Sequence, residues 1–124
     1  MTSERTVIVG GPRTGKTTLA DKLDPSAMHT DDLIGVLPWS AASQHIADDW
    51  ISKPGPWTIE GVAAVRALRK WLAANEGKPC ERVIVLEVPR VELTTAQAGM
   101  AKGHAKILAE IEGELASRGV EIVR

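Results

Sequence analysis

Eight consecutive residues, Gly10-Gly11-Pro12-Arg13-Thr14-Gly15-Lys16-Thr17, have the composition and spacing of a polyphosphate grip. They satisfy the pattern G-x-x-x-x-G-K-[ST] and stand between a β-branched run and a helix-compatible one. Glycines let the main chain turn so tightly that successive N–H groups converge on anionic oxygens, and the helix that follows directs its positive end at the same point. Lys16 adds a point charge for terminal phosphates, Thr17 offers a hydroxyl to a magnesium ion, and Thr18 follows it. A glycine turn that merely capped a helix has no need of Lys and Thr at those positions. ATP and Mg2+ are therefore the expected ligands.

Further along, acidic residues recur where short apolar runs end: Asp31-Asp32 after Met28-His29-Thr30, and Glu60 after Trp57-Thr58-Ile59. His29, His45 and His104 lack metal-ligand spacing, and with Cys80 as the one cysteine no zinc constellation or internal disulfide forms. No feature near Cys80 marks an activated thiol, so it reads as a spectator. With neither Phe nor Tyr in the chain, Trp39, Trp50, Trp57 and Trp71 are the large apolar fillers. Trp39, following Pro38 close to the acidic pair, has a second reading as a ring that stacks on a base or sugar.

The elements that must position these groups follow from periodicity. Thr6 to Val9 predicts a central buried strand, Lys16 to Leu23 a helix stopped by Asp24-Pro25, and Ser26 to Thr30 a weak second strand. Trp39 to Ile51 reads as an amphipathic helix, Trp57 to Glu60 as a third strand, and Ala63 to Ala74 as a helix. Arg82 to Val88 predicts a strand buried on both faces, Thr94 to Ser117 a long helix interrupted near Gly99 and Gly103, and Val120 to Val123 a last strand. Strands alternating with helices imply an α/β fold in three layers, a five-stranded, mainly parallel sheet with helices on both faces. At 124 residues one domain, 1–124, is expected.

Composition narrows the function classes. With 15 basic and 16 acidic side chains the net charge is -1, so no broad positive field draws in nucleic acid. No apolar run approaches the roughly 20 residues of a membrane-spanning helix, and the polar start shows no secretory leader, so a cytoplasmic protein is expected.

With the loop at its start and acidic residues after the second and third strands, the sequence resembles the small P-loop kinases, the nucleoside-phosphate and small-molecule kinases of the P-loop NTPase fold. Met28-His29-Thr30-Asp31-Asp32-Leu33-Ile34 is similar to the adenylate-kinase segment that lines the acceptor site; the Asp-Asp pair is equally similar to that of sugar and polynucleotide kinases. Adenylate kinases carry an arginine after this segment where this chain has Gly35, which implies an acceptor without a phosphate. The resemblance implies that Asp31 or Asp32 acts as general base toward an attacking hydroxyl, with the pair as an N-cap near Leu33 the alternative. It implies a place for Glu60 at the magnesium shell, against a solvent-facing charge at a strand end. Arg66, three residues before Arg69, either reaches the acceptor pocket or belongs to a solvated helix face. The lid that brings cations over the transferring phosphate would draw on Arg90, Lys102 and Lys106, with Gly99 and Gly103 as flexible points. The implied activity is transfer of the γ-phosphoryl group of ATP to a small acceptor; a nucleic-acid end is less favoured. The alternatives are an ATPase or nucleotide-binding regulatory module acting on a partner protein, and a binding fold without turnover.

Overall fold

The computed structural model describes residues 4–11, 14–86 and 91–124. Strand β1, Arg5–Gly10, is buried from Thr6 onward, as its run of branched side chains requires of a central strand. It pairs in parallel with β3, Trp57–Glu60, on one side and with β4, Arg82–Leu86, on the other. Strands β2, Met28–His29, and β5, Glu121–Val123, form the edges, giving the all-parallel order β2-β3-β1-β4-β5. The path first steps outward from β1 to β2, then crosses to the opposite side for β4 and β5. The reversal opens a crevice beyond the carboxyl end of β1.

Helix α1, Lys16–Leu23, leaves β1 through the glycine loop, and α2, Asp31–Ile34, is a single turn after β2. Helix α3, Trp39–His45, runs into a π-helical turn over Ile46–Ile51; α4 covers Ala64–Ala74 and α5 covers Thr95–Ser117. Because strand side chains alternate between faces, Val7, Val9, Ile59, Val83 and Val85 share one face. They form one cluster with Ile46 and Ile51 of the π turn, Leu68 of α4 and Leu108 and Leu115 of α5. Ile8 and Ala20 are fully exempt from solvent yet lie outside that cluster, which places α1 on the opposite face. Helices thus cover both faces of the sheet, as expected.

Four details differ from the sequence reading. In β4 only Val83 and Val85 are buried, while Arg82, Ile84 and Leu86 are half-buried: α1 covers the sheet near β1 and β3 and leaves this side of β4 partly open. Helix α5 passes through Gly99 and Gly103 unbroken. Its start is fixed by a reciprocal cap, Thr94 Oγ1 accepting from the Gln97 N–H at 3.2 Å and Gln97 Oε1 from the Thr94 N–H at 3.0 Å. Burial of Ile107, Leu108, Ile111 and Leu115 along one stripe then outweighs about 1 kcal/mol of propensity lost per glycine. The segment 39–51 is not one regular helix, since its second half widens into the π turn that brings Ile46, Ala47 and Ile51 inward together. Asp31 and Asp32 lie inside the first turn of α2 behind Thr30, and no side-chain cap forms there.

Candidate active site

The loop is shaped by its glycines. A methyl group on Gly10 would stand 2.6 Å from the Leu86 carbonyl oxygen and 2.8 Å from Thr14 Oγ1, so the chain leaves β1 through a gap too narrow for any side chain. Gly15 has φ 87°, the left-handed turn that launches α1, and no side chain caps that helix. The first N–H groups of α1 therefore remain directed at the mouth of the loop, available to an anion.

Lys16 is buried to 7% exposure and folds back into the loop, donating to the Gly11 carbonyl at 2.7 Å. Thr14 Oγ1 donates to the same oxygen at 3.0 Å. Burial lowers the Lys16 pKa, while the charges of Glu60 and Asp31 act to raise it. A buried ammonium on one neutral carbonyl is under-compensated, and a polyanion would satisfy it better.

Beside the loop, Thr17 Oγ1 donates to Glu60 Oε2 at 3.2 Å. Glu60 closes β3 and is only 2% exposed, so it is no solvent-facing charge. The same Oε2 lies 2.5 Å from His29 Nδ1. A hydroxyl and a carboxylate side by side at a glycine loop are hard oxygen donors of the kind magnesium takes, and the residues present fit such an ion.

These groups share a cavity of about 400 Å³ whose wall includes Lys16, Thr17, Thr18, Asp31, Trp39 and Glu60. Asp32 is not part of it; the His29 ring has its pKa raised first by the hydrogen bond to Glu60, against burial, with the charges of Glu60, Asp21 and last Asp32 adding to it. An adjoining cavity of about 470 Å³ is lined by Trp39, Arg66 and His104 among others. Trp39, 40% exposed, is the exception among the tryptophans: Trp57 and Trp71 are buried in the core, whereas the Arg66 guanidinium sits 5.8 Å from the Trp39 ring centroid. Arg69 turns to α5 and pairs with Glu110 at 3.3 Å.

Not every candidate gathers here. Lys102 and Lys106 are exposed and line none of the cavities around the loop, because on a helix of 3.6 residues per turn they fall opposite Gln97, Met100 and His104, which do. The two lysines thus stand apart from the loop, on the side of α5 away from it. Pro12, Arg13 and Arg90 lie outside the described residues. Sequence reading misses Gln97 and Met100, which line the cavity beside the loop from α5, and Val62, which follows Glu60 and Gly61. The Thr94-Gln97 capping pair is the one local signal there, and it fixes where α5 begins. Cys80 is buried, and burial pushes its thiol up to about 12, which keeps it inert. Among the described residues no helix is long and apolar enough to cross a membrane.

No protein-family model matches the sequence, and no curated protein does. Among solved structures, a shikimate kinase from Acinetobacter baumannii in complex with shikimate is similar in fold, with a TM-score of 0.55 over 99% of this chain and 83% of that one, at 13% identity. The likeness establishes the architecture: an α/β P-loop NTPase fold with a five-stranded parallel sheet.

Proposed function

We propose that this chain, acting as one domain over residues 1–124, is a cytoplasmic ATP-dependent phosphotransferase that moves the γ-phosphoryl group to a hydroxyl of a small molecule. The observation that carries the reading is the single cavity in which Lys16, Thr17, Glu60 and Asp31 meet at the carboxyl end of β1. Fold likeness to a kinase solved with a small-molecule acceptor supports it.

In this reading the loop 10–18 binds the triphosphate of ATP. Lys16 gives up the Gly11 carbonyl for phosphate oxygens, and the uncapped start of α1 directs its N–H groups at the same charge. Thr17 and Glu60 would hold Mg2+, which would supply positive charge against the phosphates of the nucleotide. Asp31, on the cavity wall, is the better placed of the two aspartates to accept the proton of the attacking hydroxyl. The new bond joins the acceptor oxygen to the γ-phosphorus as the bond to ADP breaks. Trp39 and Arg66 form the acceptor wall, an aromatic face backed by one guanidinium. A nucleic-acid end is not favoured, since the net charge is -1.

Incubation with γ-labelled ATP, magnesium and a panel of nucleosides, sugars, cyclic hydroxy acids, nucleotides and DNA ends tests this directly. A labelled acceptor is the expected result, abolished in Lys16→Ala; release of free phosphate alone across the panel overturns the transferase reading. A second reading, an ATPase or regulatory nucleotide module, draws on one observation: among the described residues α5 supplies Gln97 and Met100 to the phosphate cavity and no cation. That reading predicts hydrolysis whose rate depends on a partner protein.

A further inference from the structure

His29 takes a place that the proposed transfer does not yet use. At the end of β2 its ring stands between two carboxylates, with Nδ1 2.5 Å from Glu60 Oε2 and Nε2 3.2 Å from Asp21 Oδ1. The contact with Glu60 has hydrogen-bond geometry, and Asp21 stands close to the opposite ring nitrogen. Glu60 Oε2 also accepts the Thr17 hydroxyl. Asp21 on α1, His29 on β2, Glu60 on β3 and Thr17 on α1 thus form one continuous chain from an exposed aspartate to the mouth of the loop.

Glu60 needs such support. A carboxylate this deeply buried has no water to satisfy its oxygens or fix its rotamer, so partners within the protein must do both. Thr17 cannot supply both services, being a neutral donor on an exposed residue. Side chains behind a metal's direct ligands commonly fix the orientation of those ligands.

We propose that His29 is the positioning residue of the magnesium site: it holds the Glu60 carboxylate against Thr17, so that metal-dependent nucleotide binding rests on a side chain of β2. The proposal depends on the loop being a magnesium-nucleotide site, and on no property of the acceptor.

Calorimetric titration with ADP, in magnesium and again in EDTA, reads it without turnover. For the parent protein, magnesium tightens ADP binding. His29→Leu is expected to lose about tenfold or more of that gain while its affinity in EDTA stays within about twofold of the parent, the size reported when a ligand's supporting partner is removed. His29→Gln, whose amide can still donate to Glu60, recovers most of the gain. Glu60→Gln loses the gain to the same degree, and adding His29→Leu to it costs nothing more, as two members of one chain require. An undiminished magnesium gain in His29→Leu, an equal loss in EDTA, or a parent without any gain overturns the proposal. If His29→Leu does not fold, Asp21→Asn, on an exposed residue, carries the test: a gain cut about threefold supports it and an unchanged gain sinks it. No ADP binding in either buffer would remove the nucleotide site itself, whereas normal binding with an unaltered gain in the variants removes only the role of His29.

Discussion

His104 shows how strongly position can override residue type. It is 8% exposed on α5, its Nε2 has no partner among the described residues, and it lines two cavities that Gly11 also lines. Burial first, then the charges of Lys16 and Arg66, lower its pKa from 6.5 to about 4. The native state therefore binds fewer protons than the unfolded chain between those values, and stability falls as pH drops from 6.5 toward 4. Denaturant titrations should show a slope of at most ~1.4 kcal/mol per pH unit from this group across that window. In His104→Leu the slope should flatten by that amount, and an identical acid limb in the variant would show that the ring is not held neutral. The two aspartates separate by a similar argument from place. Asp31→Asn is expected to lower kcat by about 100-fold or more and Asp32→Asn by less than about tenfold, read from steady-state rates with any accepted hydroxyl compound. Equal effects would remove the distinction drawn from the cavity. None of this is visible locally in the sequence, because the neighbours that set His104 and Asp31 apart come from distant parts of the chain.

At the level of elements, the close approach of β2 and β3 makes a sharp prediction. Gly61 has φ 140°, and a methyl group there would stand 1.7 Å from the oxygen of Thr30, a residue with no exposure at all. Gly61→Ala should cost more than ~3 kcal/mol by denaturant unfolding and should weaken magnesium-dependent nucleotide binding, because Glu60 is its immediate neighbour. Gly113 on α5 is the opposite case, exposed and with open space where a side chain would go. Gly113→Ala should stabilise by about 0.5–1 kcal/mol and leave nucleotide affinity unchanged. Helix α1 and strand β3 were legible because each is bounded by chemistry that acts within a few residues: glycines and Lys16 before α1, Asp24-Pro25 after it, Pro56 and Gly61 around β3. Gly99 and Gly103 misled for the reciprocal reason, since what keeps α5 helical through them is a cap at one end and a buried stripe at the other. The π turn at 46–51 has no composition of its own; it exists to pack Ile46 and Ile51 against α4 and the sheet.

The whole molecule gathers its site from four sequence-distant segments: the loop after β1, the turn after β2, the end of β3 and the first turns of α5. Parallel crossovers bring the first three to one edge of the sheet, so alternating strands and helices were enough to foresee their meeting. The fourth depends on how α5 is rotated about its own axis, which is settled by the core stripe through Ile107, Leu108, Ile111 and Leu115 and leaves Lys102 and Lys106 outward. That is why the place of the glycine loop was readable from eight residues and the side of α5 that faces it was not. The central claim is that this grip holds a nucleoside triphosphate. Calorimetric titration of the protein with magnesium and a non-hydrolysable ATP analogue, alongside Lys16→Ala, tests it most directly. The parent should bind with one site, and Lys16→Ala should bind at least ~100-fold more weakly, about 2.7 kcal/mol, while unfolding within a few degrees of the parent. Equal affinity in the two proteins, or no heat in either, would contradict the account.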